Sequence, residues 1–333
     1  MEVNSIISVE KSVLLQKIFQ MVKRTAIIVV GITVLAAIGL LIVFFDDVSP
    51  VVFGQYQMPR DEIFTVILTS VGVIAVIVAL YYAAKYLPKL KKYNAGVRFN
   101  NAVGHLGSVS PTVVLGGIHD LHQIAINNND YTMLVHNLFC SYIRENSTQL
   151  YSNIENESGK CPVVLQQLVD YLFKPYNGKT VYKKFLTDLS YSTLINCDFM
   201  ETGITDVNFS NCDIRKCSFN RAVLRRVIFN DSILSDLDFN HASFHDVDFY
   251  GAVFRDVSFL KAAISDVDFW ETTLCNVGYG NTLLNNVDFL KATMNKVDFG
   301  DTTFNGAYFD EAMMDDFTID NLKINKIIKL LEP

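Results

Sequence analysis

Residues 239–254 read FNHASFHDVDFYGAVF, and a phenylalanine stands at every fifth position of this stretch. The same spacing of large apolar residues continues without a slip from Leu189 to Met314, through 26 consecutive units. A fixed internal period outranks other sequence signals, and a period of five matches neither an α-helix nor a flat strand. The spacing therefore predicts a chain that turns a corner every five residues and stacks coil upon coil.

The residue two places before each apolar centre alternates between two kinds. It is mostly valine before one set of centres, as at Val247 and Val267, and small before the other, as at Ala242 and Ala252. The sequence unit is thus ten residues, and four fives close one coil of twenty. Sorting the centres by twenty gives two columns rich in phenylalanine, and one of them is the expected core ladder: Phe209, Phe229, Phe249, Phe269, Phe289 and Phe309.

This order of a small residue, a polar residue, Leu or Phe and two variable residues resembles the pentapeptide-repeat family. The resemblance covers residues 189–314 and implies a right-handed quadrilateral β-helix, with coils that repeat at about 4.8 Å. We therefore expect a pentapeptide-repeat β-helix at 187–317. Such a stack needs closed ends, and the apolar residues and lysines of 318–333 predict a capping helix, within one chain or across a dimer, with Asp320 as a candidate N-cap.

Two uncharged stretches account for the hydrophobic content of the chain, which is 50% of its residues. They are 25–45 and 63–84, and each has the ~20 residues needed to cross a bilayer. We predict a two-helix transmembrane hairpin at 25–87. Neither stretch carries an ionisable residue at its centre, which disfavours a transporter. Alanines at every fourth position of the second stretch leave a homo-oligomer open.

The residues that flank the two stretches indicate an orientation. Lysines and arginines precede the first and follow the second, whereas the connection 46–62 is acidic. Because basic residues mark the cytoplasmic side, both termini are expected in the cytoplasm. Residues 1–24 then form either an amphipathic segment on the inner membrane surface or a simple helical extension of the first span.

Residues 88–186 are predicted to form a cytoplasmic helical neck, because apolar residues recur there at helical spacing, as at Ile118, Leu121 and Ile124. The run Val114-Leu115-Gly116-Gly117-Ile118 resembles the helical segment ahead of the repeats in bacterial membrane-anchored pentapeptide-repeat proteins. That pattern often has an Arg where this chain has Val114. The resemblance implies a helical neck between membrane and solenoid and no activity. The expected location is the bacterial inner membrane. The expected fold is therefore a membrane-anchored α + β-solenoid.

No catalytic, cofactor-binding or metal-binding motif stands out, so we predict no enzyme and no cofactor. His119 with His122, or His136 with Cys140, have helical spacing, but zinc needs a fuller ligand set. Cys197 and Cys217 lie twenty residues apart and are expected to stack on adjacent coils. A cytoplasmic location keeps thiols reduced, so small buried apolar residues are the favoured interpretation of the cysteines, with a disulfide as the alternative.

The solenoid carries the negative charge of the chain. Residues 187–316 contain 21 acidic and 9 basic residues, a net charge of −12, whereas the whole chain is −7 and the remainder is therefore +5. Two explanations stay open, namely carboxylates that bond turn amides and an acidic face for a basic partner. The candidate face consists of Asp246, Asp248, Asp266, Asp268, Asp288 and Asp298.

The sequence favours a non-enzymatic, membrane-tethered platform for protein interactions. Its expected partners are the lipid bilayer and an unidentified, basic protein, without direct binding of nucleic acid. One alternative is a membrane effector in stress or phage defence. The other comes from the family resemblance, since some soluble pentapeptide-repeat proteins imitate DNA and inhibit topoisomerase, although two membrane spans would hold such a mimic away from the chromosome.

Overall fold

The computed structural model of the protein describes residues 31–32, 60–152, 160–175, 178 and 180–324. The chain divides into two compact units, Met1–Val97 and Arg98–Pro333. Helix α1 is Arg60–Leu106. It contains a stretch of 20 residues, Leu68–Leu87, that is long and apolar enough to cross a membrane. The N-terminal segment predicted at 1–24 and, apart from residues 31–32, the first predicted span lie outside the described residues.

The predicted neck is helical, as the apolar spacing indicated. Helices α2, α3 and α4 are Pro111–Asn127, Asn129–Ser152 and Val163–Phe173. Each helix turns one apolar stripe toward a shared core, and the side chains at the centre of that core are fully buried: Ile118, Leu121, Phe139, Ile143, Leu165 and Leu168. Burying a stripe of this kind is what stabilises helices of such length in water.

The two glycines of the Leu-Gly-Gly-Ile run have different surroundings. A Cβ on Gly117 would lie 2.7 Å from the carbonyl oxygen of Ala102 and 2.8 Å from the Cβ of His105, both on α1. A Cβ on Gly116 would have nothing within 4 Å. Only Gly117 is therefore required for the close approach of α2 to the end of α1.

Fourteen short strands of the described residues form two parallel sheets of seven strands each. The first sheet has the order β1-β3-β5-β7-β9-β11-β13, with bounds Thr187–Asp188, Gly203–Asn208, Val223–Ile228, Ser243–Asp248, Ala263–Asp268, Leu283–Asp288 and Thr303–Tyr308. The second has the order β2-β4-β6-β8-β10-β12-β14, with bounds Thr193–Ile195, Asp213–Arg215, Ile233–Ser235, Val253–Ser258, Thr273–Gly278, Thr293–Asp298 and Met313–Met314.

Paired strands are twenty residues apart, as the alternation of fives predicted. Val247 lies opposite Val267, and Leu274 lies opposite Met294. Each coil thus gives one strand to each sheet, and about six coils are stacked into a solenoid.

Two aromatic columns fill the solenoid. The rings from Phe209 to Phe309 stack at centroid distances of 4.9–5.1 Å, and all but Phe309 are fully buried. The second column runs from Phe199 to Phe299 at 4.5–5.1 Å and includes Tyr279. Stacking adds ~0.5–1.5 kcal/mol per pair beyond burial, so both columns contribute to holding neighbouring coils together.

Every corner of the solenoid has a left-handed backbone. From Tyr191 to Glu311, every fifth residue has a positive φ, which lies between 51° and 61° for the 23 that are not glycine. The other two are Gly251 and Gly306. Twelve of the 23 are Asn or Asp and none is β-branched, which agrees with the residue types that tolerate this conformation.

The solenoid is followed by helix α5, Asp316–Ile324. The prediction of Asp320 as N-cap is wrong, because the helix begins earlier and Asp315 accepts a 2.9 Å hydrogen bond from the backbone N–H of Thr318. The hydroxyl of Thr318 in turn accepts from Val297 N–H on β12, and Leu322 is fully buried. The described part of the predicted cap therefore packs against the second sheet of the same chain.

Candidate functional site

Side chains of the neck close the first coil of the solenoid. Tyr151 Oη accepts a 2.6 Å hydrogen bond from Ile195 N–H and donates a 2.8 Å bond to Ile195 C=O. The amide of Gln166 does the same for Asp198, accepting at 2.8 Å from the N–H and donating at 3.0 Å to the C=O. These side chains replace the strand that a preceding coil would supply, so this edge is not open for a partner strand.

The histidines of the neck are part of its packing. His119 Nδ1 lies 2.9 Å from Tyr171 Oη, and His122 Nδ1 lies 3.0 Å from Tyr182 Oη. Burial, and secondarily the proximity of His119, lowers the pKa of His122 to about 4, so this imidazole is neutral at pH 7. Within the described residues, no group of three or more His, Cys, Asp or Glu side chains is arranged to hold a metal.

The cysteines lie largely where the sequence placed them. Cys197, Cys212 and Cys217 are buried on the inward side of the first coils, whereas Cys275 on β10 is half-buried. Cys140 is buried in the neck 3.7 Å from His136 Nε2, and burial raises the pKa of its thiol to about 12. A thiol with so high a pKa is a poor nucleophile at neutral pH.

Five of the six candidate acidic residues lie on the first sheet. Asp248, Asp268 and Asp288 form one row, since they end the neighbouring strands β7, β9 and β11. Asp246 and Asp266 occupy left-handed corners of β7 and β9. Asp298, by contrast, ends β12 in the second sheet. Its inclusion was wrong, because the coil repeats every twenty residues and Asp298 lies half a coil beyond Asp288.

The row of carboxylates has a structural role. Asp248, Asp268 and Asp288 accept hydrogen bonds of 2.9, 2.6 and 2.8 Å from the backbone N–H two residues further on. Burial and then the charges of Asp248 and Asp288 raise the pKa of Asp268, against the opposing effect of its bond from the Trp270 amide. The row thus satisfies turns and also concentrates negative charge at one place.

An aromatic row beside the carboxylates was missed in the sequence. Tyr250, Trp270 and Leu290 follow directly after three phenylalanines of the core ladder and stand one coil apart. The rings of Tyr250 and Trp270 meet edge to face at a centroid distance of 5.6 Å, and both residues are 37% exposed. The signal was present, since Trp270 is the single tryptophan of the chain and stands at an outward position. We call the two rows together the amphipathic face.

Comparison with known proteins matches residues 202–279 to the model described as pentapeptide repeat region. No curated protein matches the chain. Among solved structures, the chain is similar to QnrB1, a plasmid-mediated fluoroquinolone resistance protein, at 16% identity over 44% of this chain and 90% of that chain, with a TM-score of 0.25.

Two further solved structures are similar to this chain. One is a pentapeptide repeat protein from the thylakoid lumen of Arabidopsis thaliana, at 19% identity over 34% of this chain and 70% of that chain, with a TM-score of 0.22. The other is Rfr23 from the cyanobacterium Cyanothece 51142, at 15% identity over 44% and 79%, with a TM-score of 0.21. At these levels none of the three assigns a function to this chain.

Proposed function

Since its solenoid makes this chain a member of the pentapeptide repeat family, we propose that the protein is a non-enzymatic platform that is tethered to the bacterial inner membrane and binds a protein partner. The observation that supports a membrane tether is the exposure of the apolar side chains of α1. Leu68, Val73, Ile77 and Leu80 are each 58–64% exposed, and none of the stretch Leu68–Leu87 is buried by protein. An uncovered apolar surface of this length is the kind that a bilayer covers.

The orientation of the tether follows from the charges around it. In this proposal the uncharged stretch 25–45 is the other span of a hairpin, and the lysines and arginines outside the hairpin belong on the cytoplasmic side. Both termini and the solenoid then lie in the cytoplasm. Reporter fusions test this arrangement, with cytoplasmic activity expected at Pro333 and periplasmic activity at Gly54. A periplasmic reporter at Pro333 would exclude it.

The amphipathic face is the surface that best fits a protein partner. A basic segment can pair its Lys or Arg side chains with the row Asp248, Asp268 and Asp288, while its apolar side chains contact Tyr250 and Trp270. Arginine also stacks favourably on the face of a tryptophan ring. Nucleic acid does not fit, because its phosphates would meet a surface of the same charge.

Variants that remove the carboxylate charges but keep the hydrogen bonds of the turns test whether the amphipathic face binds a partner. Asparagine keeps the side-chain oxygen that accepts the turn N–H, so D248N/D268N changes the charge and spares that bond. D238N/D298N is the matched control, because both of its residues accept the same type of turn bond on another part of the coil.

The readout is the set of proteins cross-linked to the full chain in membranes. A partner that is lost in D248N/D268N and kept in D238N/D298N supports the proposal. A partner kept in both variants places the binding surface elsewhere on the chain, and the absence of any partner for the unmutated chain refutes the platform.

Overexpression separates the platform from the two other functions that the sequence left open. A platform leaves the membrane potential and DNA supercoiling unchanged. Depolarised cells would instead favour a membrane effector, and inhibited supercoiling by the purified chain would favour a DNA mimic.

A further inference from the structure

Two thiols from different elements meet where the neck contacts the solenoid. Cys161 immediately precedes Pro162 and helix α4, and Cys197 lies in the first coil. Their Sγ atoms are 2.9 Å apart, although both cysteines are free. A disulfide bond is ~2.05 Å long, so less than about 1 Å of movement separates this pair from a bond. Neither thiol has a part in the platform function proposed above.

The surroundings hold the two sulfurs together. Tyr151 Oη, which bonds the backbone of Ile195, lies 3.9 Å from Cys161 Sγ and 3.6 Å from Cys197 Sγ. Cys217, one coil further on, accepts a 3.3 Å hydrogen bond from Cys197 N–H. Cys197 is fully buried and Cys161 is half-buried. An oxidant therefore reaches Cys161 first, and Cys197 stands behind it as the resolving thiol.

We propose that Cys161 and Cys197 are a redox modification site, at which a peroxide converts the two thiols into a disulfide that fastens the start of α4 to the first coil. The site uses only neck and solenoid residues, so it does not depend on the membrane tether or on the amphipathic face.

The reaction takes place in two balanced steps. Cys161 Sγ attacks one oxygen of hydrogen peroxide, an S–O bond forms, the O–O bond breaks, and the products are a sulfenic acid and water. Cys197 Sγ then attacks the oxidised sulfur of Cys161. The S–S bond forms as the S–O bond breaks, and the departing hydroxide takes the proton of Cys197 and leaves as a second water. The two thiols lose two electrons in total, and the peroxide gains them.

The environment of the thiols sets the conditions under which this reaction occurs. The contact with Cys197, followed by burial, raises the pKa of the Cys161 thiol. Little thiolate is then present at pH 7, and the thiolate is the attacking species. We expect slow oxidation that becomes faster as the pH rises. Such a pair responds to strong or prolonged peroxide exposure.

The test uses the full chain purified in detergent and treated with hydrogen peroxide. Free thiols are then alkylated, the protein is digested without reductant, and the peptides are identified by mass spectrometry. The expected result is a linked Cys161–Cys197 peptide that disappears after dithiothreitol. It is also absent from C161S and present in C275S, whose substitution removes a half-buried thiol elsewhere.

A second measurement guards against loss of folding in the variants. Circular dichroism before oxidation should be the same for C161S, C275S and the unmutated chain. After oxidation, the melting temperature of the unmutated chain and of C275S should rise, and that of C161S should not. A linked Cys197–Cys217 peptide in place of the expected one, or Cys161 alkylated equally before and after peroxide, would overturn the proposal.

Discussion

The hydroxyl of Tyr279 provides a sharp test of how the solenoid core is stabilised. Its ring stacks between Phe259 and Phe299 at centroid distances of 5.0 and 5.1 Å and is fully buried. Among the described residues, the hydroxyl has no hydrogen-bond partner. A buried polar group without a partner costs about 1–3 kcal/mol of desolvation. Tyr279→Phe removes that cost and keeps both stacked pairs, so the free energy of unfolding should increase by about 1–3 kcal/mol.

Chemical denaturation of the full chain measures this change, because the single tryptophan, Trp270, lies in the solenoid and reports its unfolding by fluorescence. The midpoint should move to higher denaturant at an unchanged slope. Tyr250→Phe is the control, since its half-exposed hydroxyl donates to Glu271 and water can replace that bond. It should change the stability by less than about 0.5 kcal/mol. A Tyr279→Phe midpoint at or below that of the unmutated chain would show that the hydroxyl is satisfied and the reasoning wrong.

Three further predictions concern the two parts of the second unit. In thermal melts, Gly117→Ala should lower the stability of the neck by ~1–3 kcal/mol, because the added Cβ would lie 2.7 Å from the carbonyl oxygen of Ala102 on α1. Gly116→Ala has free space around its Cβ and should leave the stability unchanged or raise it by up to ~1 kcal/mol. The pKa of His122 is about 4 in the folded chain and 6.5 in the unfolded chain, so between these two pH values the imidazole binds a proton only in the unfolded chain. The free energy of unfolding should therefore fall by ~3 kcal/mol as the pH drops from 6.5 to 4. His122→Gln should flatten this dependence of stability on pH. Phe249→Ala should cost ~3–5 kcal/mol and let proteases cut the middle of the solenoid, because each coil contacts only its neighbours; unchanged resistance would exclude this column as the core.

The solenoid could be predicted closely because its signals are local. The period of five and the alternation of Val with small residues predict a coil of twenty residues. Strand pairing at a separation of twenty residues confirms this prediction. The error at Asp298 came from following a step of ten residues where the coil requires twenty. The prediction of Asp320 as N-cap was wrong because it overlooked Asp315, which lies nearer the end of the repeats and accepts a hydrogen bond from the backbone N–H of Thr318 in the first turn of the helix.

Other features depend on which side chains meet in three dimensions. Gln166 completes the first coil from helix α4 of the neck, and nothing in its neighbourhood in the sequence sets it apart from other glutamines on a helix surface. Cys161 and Cys197 belong to different elements, so no spacing rule pairs them. Tyr250 and Trp270 are apparent in the sequence as outward aromatic residues. That they form one row follows only from the coil register, which brings their rings into contact.

The left-handed corners have a consequence for the origin of the surface charge. An L-residue other than Asn, Asp or Gly typically loses ~1 kcal/mol or more in this conformation. Eleven of the corners carry such residues, among them Lys216, Arg221 and Lys261. Asparagine at each of these corners would relieve the strain but would remove six cations and three glutamates, so the net charge of residues 187–316 would change from −12 to −15. Arg221, Arg226 and Lys291 lie 2.6–3.9 Å from the carboxylates of three corners one coil away, Glu201, Asp206 and Glu311, so part of the backbone strain coincides with ion pairs between neighbouring coils.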